Sequence, residues 1–298
     1  MLNHRDTQHF AGVFSLLLTP FQADGTIDWP CYDRYVEWQL SAKSSGLFAV
    51  CGSSEMNWLT LEERVTLARR AVELAGDTPV VATANLEAER SQHADEIQRM
   101  AETGISAVVL VPPDGLSPDP SELEDYLAVL IERAPCPVLL YEWPARQHYL
   151  LRPEGYARLM QLGALGIKDT TCTIEGILGK IKVAGASTIF QANTPYLLEA
   201  QRLGAGGVMA ITSTAVADLV VACWQLAQAE DPEAHRYHRE LIFFDSLMSF
   251  GYPAAAKWLV SQRGLPMSTH CRGAGPIPAQ AHQALTVWLE GVRPLLSM

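Results

Sequence analysis

The chain has 298 residues, 48% of them hydrophobic, with a formal net charge of −11 at pH 7. This is ample for a large apolar core, and the negative balance excludes nucleic acid and anionic membranes as partners, since both require a basic face to neutralise phosphate. Six scattered cysteines without a C-x-x-C pair exclude a disulfide framework, and the polar opening Met1-Leu2-Asn3-His4-Arg5-Asp6, with no long apolar segment after it, points to a cytoplasmic protein with free thiols.

Runs rich in Val, Ile, Leu, Phe and Ala occupy 13–18, 47–51, 79–83 and 107–111, then 137–141, 164–168, 188–191 and 207–211. Each predicts a buried strand. Stretches of helical periodicity with charged faces lie between them, such as 61–70 and 121–132, where Ser121 with Glu124 three residues on predicts the N-cap. Apolar strands separated by single helices imply a parallel sheet covered on both faces. Eight such units in roughly 200 residues fit a closed (β/α)8 TIM barrel better than an open doubly wound sheet. The barrel is assigned to 1–215. Helical patterning around Trp224, 241–247 and 254–259 is too long for an eighth helix alone, so 216–298 is assigned as a C-terminal helical extension. No linker composition divides the two, and they form a single domain.

Barrel chemistry is built at the carboxyl ends of strands. Those ends are polar here: Gly52-Ser53-Ser54-Glu55, Tyr141-Glu142, Lys168-Asp169-Thr170-Thr171 and Gln191-Ala192-Asn193-Thr194. Lys168 is a lone cation closing the apolar run 164–167. A lysine removed from water tends towards the free amine, a nucleophile for carbonyl carbon. A strand ending at Ile167 would instead let it snorkel to the surface, and this segment alone allows both. If Lys168 faces the barrel mouth, alternation turns Ile167 and Asp169 towards the helices, so Asp169 is not its direct partner.

Tyr141 ends the neighbouring strand, either as a proton donor and acceptor beside the amine or as a core aromatic with its hydroxyl on the backbone. Gly52-Ser53-Ser54 offers hydroxyls and N–H groups to a carboxylate, and is also ordinary turn composition. There is no G-x-G-x-x-G, Walker A loop, H-E-x-x-H or Cys/His cluster, so no nucleotide, metal or other cofactor is expected. His235-Arg236-Tyr237-His238 reads as a solvated helix face.

Together these residues resemble the dihydrodipicolinate synthase/N-acetylneuraminate lyase family of class I, Schiff-base aldolases, over most of the chain. The stretch from Phe14 to Thr19-Pro20 is similar to that family's opening strand. Gly52-Ser53-Ser54-Glu55 with Leu59-Thr60-Leu61-Glu62-Glu63-Arg64 is similar to its G-[ST]-T-G-E loop and following helix. Tyr141-Glu142-Trp143-Pro144-Ala145-Arg146 resembles Y-N-x-P-x-R, and Gly166-Ile167-Lys168-Asp169 resembles G-[IV]-K-[ED].

The resemblance implies a homotetramer without metal or organic cofactor. In it Lys168 forms a Schiff base with pyruvate or another 2-oxo acid, Tyr141 relays protons, and Ser53 and Ser54 bind the carboxylate. Met209 and Arg146 are placed with the substrate-binding residues. The planar fork of Arg146 suits a distal carboxylate, while a loop arginine equally suits a salt bridge or solvent.

Three departures stand out. The glycine normally found before Glu55 is missing, so the local turn must differ. Pro113 or Asp114 stands where the synthase places a second tyrosine that reaches into a neighbouring subunit's proton relay. Glu142 replaces the usual Asn, and Ala192-Asn193-Thr194 replaces the acidic G-D-x-[ED] pattern that sialic-acid lyases use for sugar hydroxyls.

The expected function is a Schiff-base lyase on a 2-oxo acid: a pyruvate-dependent aldolase, or a 2-oxo-3-deoxy acid aldolase or dehydratase. The alternatives are the family's synthase proper, a non-catalytic 2-oxo-acid-binding homologue, and a pyridoxal-phosphate enzyme. The last requires a phosphate nest after strands seven and eight, whereas Gly204, Gly206 and Gly207 precede the eighth.

Overall fold

Apolar strands with no alternating polar positions need cover on both faces, and the chain supplies it by following each strand with a helix. The computed structural model describes residues 10–143 and 150–297. In chain order they form β1 (Gly12–Leu16), α1 (Trp29–Ser41), β2 (Gly46–Val50), α2 (Leu61–Ala75), β3 (Val80–Ala84), α3 (His93–Ala101), β4 (Ala107–Leu110) and α4 (Pro120–Arg133). There follow β5 (Val138–Tyr141), α5 (Pro153–Gln161), β6 (Ala164–Asp169), α6 (Ile174–Val183), β7 (Thr188–Gln191), α7 (Leu197–Leu203), β8 (Gly207–Val208) and α8 (Ser213–Gln228). The chain closes with α9 (Ala234–Met248), α10 (Ala254–Gln262) and α11 (Ala279–Val292).

The strands are parallel and close into a barrel, β1 pairing with both β2 and β8. This is the expected TIM barrel, and each of the eight apolar runs supplies one strand. Aromatic rings fill part of its interior: Phe14 and Phe190 meet edge to face with centroids 5.2 Å apart. Their strand neighbours are bare to make room. A Cβ on Gly46 would stand 2.3 Å from the Phe14 ring, and one on Gly207 would stand 2.6 Å from the Phe190 ring. Only glycine permits that approach.

Local capping agrees with the helix boundaries. At α2 the Thr60 hydroxyl accepts from the Glu63 N–H at 3.2 Å while the Glu63 carboxylate accepts from the Thr60 N–H at 2.9 Å, a reciprocal cap of the kind that contributes about 1 kcal/mol. At α4 the cap is Asp119, accepting from the Ser121 N–H at 2.9 Å, and not Ser121 itself. Pro120 accounts for the earlier start, because its fixed φ and missing N–H suit the first helical position.

The last three helices are tied to the barrel by packing and by charge. The Phe244 and Trp288 rings stack at 4.7 Å between α9 and α11, and Arg263 donates to both carboxylate oxygens of Asp218 on α8, at 3.1 and 2.8 Å. All six cysteines are free thiols, and Cys31, Cys51 and Cys223 are buried. Among the described residues no helix is long and apolar enough to cross a membrane.

Candidate active site

β5 and β6 lie in register with Tyr141 opposite Lys168. Alternation then separates the polar residues at the two strand ends. Lys168 is 3% exposed, its amine 4.3 Å from the centre of the Tyr141 ring and 5.5 Å from that of Phe48. Among the described residues no carboxylate pairs with it. Burial pushes the amine down to about 8, with only the Cys51 thiol acting slightly against that. Burial also raises the Tyr141 phenol well above its ordinary range, so it is a neutral donor at physiological pH.

Behind the strands the next residues form a separate buried cluster. Lys180 from α6 lies 2.8 Å from Glu142 and 3.1 Å from Asp169, and also donates to the Thr171 hydroxyl. Burial pushes Glu142 up to about 7 while Lys180 pulls it down. Burial works against the Asp169 carboxylate too, but Lys180 and the Thr171 hydroxyl outweigh it and hold that group below its usual value. Asp169 therefore serves Lys180, as alternation required, and among the described residues Lys168 keeps no counter-ion. Glu142 also accepts from the backbone N–H groups of Leu151 (2.9 Å) and Thr170 (3.3 Å), so it anchors the far end of the loop that follows β5. Arg146, in that loop, lies outside the described residues.

The two serines do different things. The Ser54 hydroxyl donates towards the carbonyls of Leu17 (2.7 Å) and Ala49 (2.8 Å) and accepts from the Cys51 N–H (3.2 Å). Its one proton is committed to holding the loop, contrary to the expectation that both hydroxyls face a carboxylate. Ser53 accepts a hydrogen bond from the Tyr252 hydroxyl and keeps its own proton to donate. A Cβ on Gly52 would lie 3.7 Å from the Tyr141 hydroxyl, so this loop runs beside the phenol.

The missing glycine is replaced in an unexpected way: Glu55 itself takes the left-handed conformation, with φ +59°. Such a position costs a non-glycine residue about 1 kcal/mol or more. Three bonds to its carboxylate offset it, from Lys257 and from the N–H groups of Arg272 and Gly273, at 2.7, 2.7 and 2.8 Å.

A cavity of about 310 Å³ opens over Lys168 and Tyr141, lined also by Thr170, Asn193, Tyr196 and Asp245. Met209 is buried and its N–H donates to the Gln191 carbonyl at 3.0 Å, but it does not line this cavity; Ile211, two residues on, does. Asp114 is exposed and its carbonyl accepts from Arg90 at 3.1 Å, away from the cavity.

Two side chains not marked by the sequence come from the C-terminal helices. Tyr252 reaches Ser53 from the turn before α10, and Asp245 reaches the cavity from α9. Asp245 left a readable signal, a carboxylate between Leu241 and Met248 on an otherwise buried stripe. The segment 235–238 is not wholly solvated either, because α9 crosses the turn at Thr194 and the His238 Nε2 sits 2.8 Å from the Thr194 carbonyl.

The family model for the dihydrodipicolinate synthetase family matches residues 9–290. A 4-hydroxy-tetrahydrodipicolinate synthase of Acidithiobacillus ferrooxidans is 29% identical over 279 residues, spanning 87% of this chain and 93% of that protein. One of Chelativorans sp. is 29% identical over 270 residues, spanning 86% and 89%. Among solved structures, the E. coli K12 prophage protein YagE in complex with pyruvate superposes with a TM-score of 0.87 at 23% identity, covering 95% of this chain and 99% of that one. The Bacillus anthracis dihydrodipicolinate synthase DapA-2 gives 0.88 at 22%, covering 94% and 98%.

Proposed function

Because the chain belongs to the dihydrodipicolinate synthetase family, we propose that it is a class I lyase in which Lys168 forms a Schiff base with C2 of a 2-oxo acid, with pyruvate as the common fragment. The observation that carries this reading is the buried Lys168 amine, without a carboxylate partner among the described residues, held down to a pKa of about 8 and lying against Tyr141. At pH 7 roughly a tenth of such an amine is free base, against fewer than about one in a thousand for an ordinary lysine.

The free amine adds to C2. The carbinol oxygen then takes a proton, supplied by the Tyr141 hydroxyl, and leaves as water, giving an iminium. The electron pair of the C3–C4 bond flows into that iminium to give an enamine, while the C4 hydroxyl passes its proton to the Tyr141 phenolate left by the first step and departs as a carbonyl. Ser53, with a proton to spare, hydrogen-bonds the substrate carboxylate, and Tyr252 fixes the orientation of its oxygen.

The relatives called 4-hydroxy-tetrahydrodipicolinate synthase favour a second reading, in which the same enamine condenses with an aldehyde. Both readings share the step at Lys168. Proton NMR of pyruvate in D2O tests it, since an enamine exchanges the methyl protons. The protein should accelerate that exchange, and exchange at the buffer rate counts against the assignment.

Two further outcomes are expected. Ser53→Ala should raise the half-saturating pyruvate concentration about tenfold, the scale of one charge-assisted hydrogen bond. Ser54→Ala should lower the urea midpoint instead, by ~1–3 kcal/mol of stability, because it strands the Cys51 N–H and removes the tie to Leu17 and Ala49. A Ser54→Ala protein of normal stability with a raised half-saturation would reverse these assignments. The rate of adduct formation should rise between pH 7 and about 8 and then level, as the Lys168 amine becomes free base. A rate still climbing nearly tenfold per pH unit at about pH 9 would indicate an ordinary, solvated lysine.

A further inference from the structure

We propose that a second cleft, beside Gly52, holds the carbonyl fragment that is cleaved from or added to pyruvate, and that its aromatic walls select an aldehyde borne on a single aromatic ring. The inference rests on the Schiff-base reading of Lys168 and names the class of its second substrate.

The cleft has a volume of about 220 Å³ and lies between the turn after β2 and the turn before α10, walled by Met56, Trp58, Trp143, Tyr252 and Pro253. Its rings are set before any ligand arrives. Trp58 is 58% exposed, yet it is held on two sides. Its carbonyl accepts from Arg272 at 2.9 Å, and its ring lies so close to the chain at Gly273 that a Cβ there would stand 2.2 Å from Nε1. Tyr252 is fixed by its hydrogen bond to Ser53. The Glu55 carboxylate also lines the cleft but is committed to Lys257 and to the N–H groups of Arg272 and Gly273.

The cleavage step directs the C4 substituent this way. The C4 hydroxyl must lie against the Tyr141 oxygen to pass its proton, while C2 is held on Lys168 and the carboxylate on Ser53. What else C4 carries then continues past the phenol, where Gly52 stands. A Cβ built on Gly52 would come no nearer than 3.7 Å to the Tyr141 hydroxyl or to the Trp143 Nε1, so the space between phenol and cleft is open. A ring in the cleft buries apolar surface against Trp58, Trp143 and Tyr252, and aromatic pairs gain beyond burial. A polyhydroxylated tail would give up water against walls with few polar partners. The size suits one ring, since an apolar cavity of roughly 150 Å³ admits benzene.

In the condensing direction the enamine C3 attacks the formyl carbon, the π pair of that carbonyl moves to oxygen, and the oxygen takes the Tyr141 proton. Water then hydrolyses the iminium, releasing a 4-aryl-4-hydroxy-2-oxo acid and the free amine and returning a proton to Tyr141.

The test is the rate of condensation of pyruvate with benzaldehyde and with D-glyceraldehyde, beside exchange of the pyruvate methyl protons in D2O. Wild-type protein should show a kcat/KM for benzaldehyde at least about tenfold above that for glyceraldehyde. Trp58→Ala should lower the benzaldehyde value about tenfold, the scale of one buried aromatic contact, and leave both the glyceraldehyde value and pyruvate exchange within about twofold. Exchange without condensation of benzaldehyde, equal or inverse preference in wild type, or a preference that survives in Trp58→Ala overturns the proposal while leaving Lys168 in place. If wild type does not exchange pyruvate protons at all, it is the Schiff-base reading that fails, and this inference falls with it.

Discussion

Lys168→Ala is expected to remove pyruvate-dependent turnover altogether, a loss on the order of 10⁴-fold or more, as when a covalent nucleophile is deleted. Each other lysine resolved as buried is already committed: Lys180 to Glu142 and Asp169, and Lys257 to Glu55 and the His270 carbonyl. Neither lines the cavity over Tyr141. The same residue gives a stability signature of opposite sign. The folded amine titrates near 8 and the unfolded one near 10.5. Between those values the unfolded chain binds more protons, so stability rises with pH across that window, and the cost of burying the charge is fully present below about pH 8. Lys168→Met, which removes the amine but fills the space, should therefore be more stable than wild type at pH 7, and the difference should shrink towards pH 10 in urea titrations. A variant less stable at pH 7 would mean that the amine is solvated or paired.

Tyr141→Phe should still form the pyruvyl adduct but turn over at least about 10²-fold more slowly, the usual scale for losing a general acid or base. The ring itself stays in place: it packs edge to face on Phe48 at 6.2 Å and lies under the Lys168 amine, and neither contact needs the hydroxyl. Only the proton is lost. The phenol is kept neutral by burial and runs beside the Ser53 loop, so it can protonate the departing carbinol oxygen and be restored afterwards. Steady-state turnover against single-turnover adduct formation separates the two effects. Near-normal turnover would remove Tyr141 from the chemistry and leave it as a packing residue.

What the sequence disclosed follows from how each feature is encoded. Strands buried on both faces are unbroken apolar runs, so 13–18 through 207–211 each announced a strand, and the position of Lys168 at the end of one of them was countable. Alternation then turned Asp169 outward, where it meets Lys180. Features that depend on distant segments were not legible. Ser54 looked like Ser53 until its hydroxyl was found against Leu17 and Ala49. The missing glycine before Glu55 suggested a different turn, but its left-handed conformation is held by Lys257 and the 272–273 backbone, more than 200 residues away. Tyr252 and Asp245 arrive from the turn before α10 and from α9, whose packing against the barrel no local spacing predicts. Glu142 read as a departure at the site, yet it points away from the cavity to satisfy Lys180 and the backbone at Leu151 and Thr170.

The central claim is that one buried amine is the nucleophile. Incubation of the wild-type protein with pyruvate and borohydride, followed by peptide mapping in the mass spectrometer, tests it directly. The account predicts a reduced pyruvyl group on the peptide containing Lys168 and on no other lysine, absent from Lys168→Ala. No adduct, or an adduct that persists unchanged in Lys168→Ala, would contradict it.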